Sequence, residues 1–187
     1  MAISIALAAA VTACGGGGGS VAVPKPTAFP RVAVLDSSYT SVPQLPVPFQ
    51  ANAHAVSSIK PGNGKDVWLD VAYSSYDGML NVTFSHAADS AAKSAVVDNR
   101  LERMRLNLAG GAEELQLVSP AGYHTTILVQ QGASLMPVQF ISVGREWVVS
   151  GMFSFKTMPT SIDSIRPVID AVKSDMIHAA KTLGDDD

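Results

Sequence analysis

The chain carries one cysteine in 187 residues. A single thiol excludes an internal disulfide framework and a thiolate zinc knuckle. Charge is scarce too: 16% of residues are charged and the formal net charge is −3. No stretch of Lys and Arg is long enough to follow a phosphate backbone, so nucleic acid is not an expected partner. Motifs that carry chemistry are missing as well. There is no G-x-S-x-G elbow, no P-loop, no H-E-x-x-H and no C-x-x-C. Hydrophobic residues, in contrast, make up 47%. That is enough apolar surface for a core and excludes a disordered polyelectrolyte. The length suits one domain with a tail.

The one cysteine is placed informatively. It lies between the apolar run "AISIALAAAVTA" (residues 2–13) and five glycines. That run is too short to span a bilayer as a helix, which takes about 20 residues. It matches instead the apolar segment of a secretory signal followed by small residues. "VTAC", Val11 to Cys14, resembles a bacterial lipobox. A thiolate suits such a site because it is a strong nucleophile for accepting a diacylglyceryl group as a thioether. The amine freed by cleavage can take a further acyl chain, and several chains anchor firmly where one binds marginally. Cys14 is therefore the expected lipidation site. No Lys or Arg precedes it, as a signal peptide would require, so translation is expected to start a few codons upstream. The expected divisions are a signal segment over 1–14, a Gly/Pro tether over 15–30, one domain over 31–183 and an acidic tail over 184–187.

Within the domain, "RVAVLD" reads as a short strand and "SVPQLPVPF" as an irregular connection. "QANAHAV" reads as a second strand and "KPGNGKD" as a loop. Then period 2 sets in. Val67, Leu69, Val71 and Tyr73 alternate with Trp68, Asp70 and Ala72, and Leu80, Val82 and Phe84 alternate with Asn81, Thr83 and Ser85. Asp77-Gly78 between them marks a hairpin turn. Asp89 reads as the N-cap of a helix to about Leu108, with Ala92, Val96, Leu101, Met104 and Leu108 as its buried stripe and Gly110-Gly111 as its stop. Four more strands follow, "AEELQLVS", "YHTTILVQ", "MPVQFISV" and "EWVVSGMFSF". A last helix, expected from about Ser164, carries Ile165, Val168, Val172, Met176, Ala179 and Leu183 on one stripe. Strands, helix, strands, helix make an α+β domain: a mostly antiparallel sheet of about six to eight strands flanked by two helices. A three-layer form with a helix on each face is similar in outline to the PsbP-like α/β/α sandwich, on element order alone.

Candidate chemistry is sparse. None of His54, His86, His124 and His178 has another His four residues away, so metal-ligand spacing is absent and no metal or cofactor is expected. His86 and Asp89 read as a strand end beside an N-cap. Asp70 and Asp77 read as a strand-face residue and a turn residue, not an acid pair. Trp147 is expected in the core; Trp68, on the opposite face from Val67 and Leu69, either packs under a helix or forms part of a binding surface, and burial is the expectation. The methionines read as core filler.

Several stretches together resemble the gliding-motility lipoprotein GldD family of the Bacteroidetes. They are "PKP" after the tether, "VWLDVAYSSYDGMLNVTFSH", "VVDNRLERMRLNLAGGAEEL", "VQFISVGREWVVSGMFSF" and "SIDSIRPVIDAVKSDMIHAA". The resemblance implies a non-catalytic accessory protein, anchored by lipid, that supports gliding and type IX protein secretion with protein partners of that machinery. It brings no catalytic residue, and Cys14 is the one position it transfers. Surface-exported lipoproteins of that group carry acidic residues just after the cysteine. Gly15 to Ser20 carry none, which points to the outer membrane with the domain facing the periplasm. Two further readings stay open. One is a periplasmic lipoprotein binding a small lipid or glycan, which requires an apolar cavity with converging polar groups. The other is an envelope hydrolase, which requires His86 or His124 bonded to both a serine and an aspartate.

Overall fold

The computed structural model describes residues 33–87, 89–108 and 110–185. Cys14, the signal segment and the tether lie outside these residues, as do the last two residues of the tail. The first strand is not "RVAVLD". Residues 33–38 are irregular, and β1 (Tyr39–Ser41) pairs with β2 (Gln50–Asn52) as a small antiparallel ribbon. The expected second strand breaks in two, because residues 53–55 turn before β3 (Val56–Pro61) begins.

From there the alternating pattern governs. β4 (Val67–Tyr73) and β5 (Gly78–His86) form the expected hairpin, joined by a single 3₁₀ turn (Ser74–Tyr76). Asp77 closes it in the left-handed region at φ 50°, which Asp tolerates better than most residues. β6 (Ala112–Val118), β7 (His124–Gln130), β8 (Val138–Val143) and β9 (Trp147–Phe155) match the four later strands. All seven pair antiparallel in the order β3-β4-β5-β9-β8-β7-β6. The sheet is thus two meanders, β3–β5 and β6–β9, joined along the seam where β5 meets β9.

Helix α1 (Ser90–Leu106) connects the meanders, and α2 (Ile162–Thr182) follows β9. They cover opposite faces. Val168, Val172 and Met176 of α2 join Leu69, Val82, Phe140 and Phe153 in the main core, and Phe49 of the proline-rich connection meets Phe84 edge-on at 6.0 Å. Met104 of α1 packs with Leu128, Ile141 and Val148 from the other side of the sheet. The architecture is the three-layer version of the expected α+β fold.

The cap of α1 is as expected: the Asp89 carboxylate accepts from Ala92 N–H at 2.7 Å. Its stripe is narrower than expected. Met104 is the one buried residue on α1; Val96, Val97, Leu101 and Leu108 are half-buried and Ala92 is exposed. The helix also stops earlier, at Leu106. No left-handed glycine ends it. Instead Asn107 donates to Gln139 Oε1 at 3.0 Å, pinning the last turn to β8. Helix α2 starts two residues before Ser164, so Pro167 lies inside it, on the exposed side. Asp163 and Lys181 sit at the ends that suit their charges.

Of the side-chain expectations, that for Trp68 fails, and those for Trp147 and the methionines hold only in part. Trp68 is 39% exposed. It lies on the face that α1 covers, but α1 rests on β8 and β9 and leaves β4 open. Trp147 is half-buried, against the rim of the core beside His86. The methionines are not uniformly filler: Met104 and Met176 are buried, whereas Met158 is exposed.

Candidate functional site

Four places bring polar side chains together. The first is a Ser-His-Asp cluster that the sequence reading missed. His54 Nε2 lies 2.7 Å from Asp36 Oδ1 and 3.2 Å from Ser38 Oγ, and Ser38 donates to the same Asp36 oxygen at 2.7 Å. A catalytic base needs its acid on one ring nitrogen and its nucleophile on the other. Here both address Nε2, so no relay exists. The Ser38 hydroxyl, then His54, holds the Asp36 carboxyl below the usual carboxylate range. The cluster is an exposed clasp between the segment before β1 and the turn after β2. The two histidines named for a hydrolase stand elsewhere: His86 packs edge-on against Trp147 and His124 is exposed at the start of β7.

The second is buried. Asp175, on the core side of α2, is 7% exposed. Its Oδ2 accepts from Tyr73 Oη at 3.0 Å, and its Oδ1 accepts from Tyr39 Oη at 3.1 Å and Asn52 Nδ2 at 3.4 Å. Burial pushes its carboxyl above the usual range, against the pull of those three donors. Burial and the adjacent carboxylate push the Tyr73 hydroxyl up as well. One turn on, His178 stacks on the Tyr39 ring at 3.5 Å and bonds Gln50 Oε1 at 2.7 Å. The group ties α2, β4 and the ribbon together, and its role is docking. The spacing could have shown it, since Asp175 falls between Val172 and Met176 on the apolar stripe.

The third is the pair considered as acids. Asp70 bonds Lys60 at 2.6 Å and Asn81 at 2.7 Å, and Lys60 first, then Asn81, lowers its carboxyl despite some burial. Asp77 pairs with Lys156 at 2.8 Å. They are held by different partners, Asp70 on its strand and Asp77 at its turn, where the sequence placed them.

The fourth is a groove of about 340 Å³ between the second half of α1 and the sheet. Its wall on α1 carries Arg100, Arg103 and Met104; its floor carries Thr83 and Ser150, register partners on β5 and β9. Met136 and Met152 line it too. The groove exists because the strand residues under α1 are short: Thr83, Asn81 and Ser150 stand where larger side chains would have filled the gap. At one end Gln139, 2% exposed, donates to Met104 O at 3.4 Å while accepting from Asn107. The sequence alone could not assemble this site, since its residues come from α1, β5, β8, β9 and the loop before β8.

Among the described residues, no group of three His, Cys, Asp or Glu could hold a metal ion, and no helix is long and apolar enough to cross a membrane. No curated protein and no solved structure matches the chain, so the likeness to a PsbP-like sandwich remains one of layer order. A family model described as "Gliding motility lipoprotein GldD" matches residues 19–184. That span takes in both meanders, both helices and the ribbon. The chain belongs to the GldD family of gliding-motility lipoproteins.

Proposed function

We propose that this protein is a membrane-anchored, non-catalytic accessory component of gliding motility and type IX secretion, tethered through a thioether on Cys14. The observation that carries this is the family match over residues 19–184. The lipobox-like "VTAC" and the Gly/Pro tether after it support the anchor. The clasp at His54 and the docking group at Asp175 support a non-catalytic body, because each joins elements and neither sets a nucleophile against a base. The uncharged stretch after Cys14 supports a position on the outer membrane with the domain facing the periplasm.

Clean deletion of the gene should stop export of proteins bearing type IX sorting signals, and complementation should restore it. Normal export in the deletion strain would remove secretion from the reading.

A further inference from the structure

The α1 groove holds an electrostatic imbalance that the rest of the fold does not resolve. Arg100 and Arg103 both line it, and among the described residues neither side chain has an ion pair or hydrogen bond. Exposed cations without partners are common, since water serves them well. Arg100 is different because it is half-buried. Burial and the adjacent Arg103 charge both act against its protonated form, while Asp66 acts on it only from a distance. Two guanidiniums held together, one of them partly out of water, in a chain of net charge −3, form a local positive site that an anion would complete. The Thr83 and Ser150 hydroxyls below are unoccupied by other protein groups among the described residues and can donate to the same anion.

Apart from the amides of Asn81, Asn107 and Gln139, the remainder of the lining is apolar. Met104, Met136 and Met152 converge there from a helix, a loop and a strand. Methionine is unbranched and adapts to irregular apolar shapes. Leu106 stands at the rim, 78% exposed. An anion with no apolar part would leave these groups facing water. The volume is at the small end of ligand sites, sufficient for a head group and the first part of a chain. Membrane association, which the lipoprotein family implies, keeps the domain beside a supply of molecules with this character.

We propose that the groove binds an anionic membrane phospholipid, its phosphate between Arg100 and Arg103 and its proximal acyl carbons on the methionine wall. This goes beyond the accessory role and does not depend on Cys14. Calorimetric titration of the full chain with monomeric short-chain phosphatidylglycerol tests it. The expected result is saturable one-to-one binding that is weakened about tenfold or more by Arg100→Gln with Arg103→Gln, the loss of two charge-assisted contacts. Arg105→Gln, outside the groove, should leave binding unchanged. Thr83→Leu, which narrows the floor and keeps every charge, should weaken it, and decides the matter if the arginine variant melts early. Four results would overturn the proposal: equal affinity for phosphatidylcholine, equal loss in Arg105→Gln, displacement by inorganic phosphate at matched concentration, or binding of an acidic peptide and not the lipid.

Discussion

Asp175 is where a single side chain matters most. A carboxylate placed in an apolar helix stripe is costly unless its oxygens are satisfied, and three donors satisfy these. Two substitutions separate charge from hydrogen bonding. Asp175→Leu strands the Tyr73, Tyr39 and Asn52 donors and should cost about 3 kcal/mol or more in urea unfolding. Asp175→Asn keeps the shape and can still bond all three, with the Tyr73 hydroxyl turned to accept. The pH dependence follows from the raised carboxyl. The folded state holds this proton more tightly than the unfolded chain, so the stability it contributes is full below the unfolded pKa. It is lost as pH rises through the folded value. Asp36 and Asp70, lowered in the fold, act with the opposite sign in both proteins. The difference between parent and Asp175→Asn therefore isolates residue 175. The variant should gain on the parent as pH rises from the acid range to neutrality, and a flat difference would show that Asp175 titrates normally.

Among the elements, β9 is the strand that joins the two meanders. It pairs with β5 on one side and β8 on the other, and Gly151 sits at its centre. The Phe140 ring from β8 folds over Gly151 into the space a Cβ would take. Gly151→Ala should therefore destabilise by about 1–3 kcal/mol through overpacking, and much less in a Phe140→Ala background, where the space is vacated. Additive losses in the double mutant would show the two do not compete. Legibility at this scale followed the physics of each pattern. The hairpin was readable because one face is more buried than the other, which writes period 2 into the chain, whereas β7 and β8, buried on both faces, stand out as apolar runs bounded by turn residues. The region before Val56 was not, because β1 and β2 are three residues each and too short to show a period. Trp68 misled because the alternation tells which face a side chain takes but not whether α1 reaches that far across the sheet. Asp175 falls on the apolar stripe by spacing, but its polarity hides it there. The groove had no linear signature at all.

For the molecule as a whole, the feature to test is the anchor proposed at Cys14. Among the described residues no helix is long and apolar enough to cross a membrane, and the proposed anchor at Cys14 would hold the body to the envelope. Full-length Cys14→Ser should fold as the parent does, with the same far-UV circular dichroism, yet lose its acyl mass and leave the acyl-anchored membrane fraction. Retention of the acyl mass would refute the lipidation site. The order of the sheet bears on how such a body is made. Its middle strand, β9, is the last to be synthesised, and it slots between two strands laid down earlier. Until it arrives, the two meanders have no shared edge, and α2, which roofs the core, comes later still. Long-range pairing of this kind closes slowly. A polypeptide crossing a membrane N-terminus first would therefore remain an open thread for nearly its entire passage, and would become compact only once its final fifth had come through.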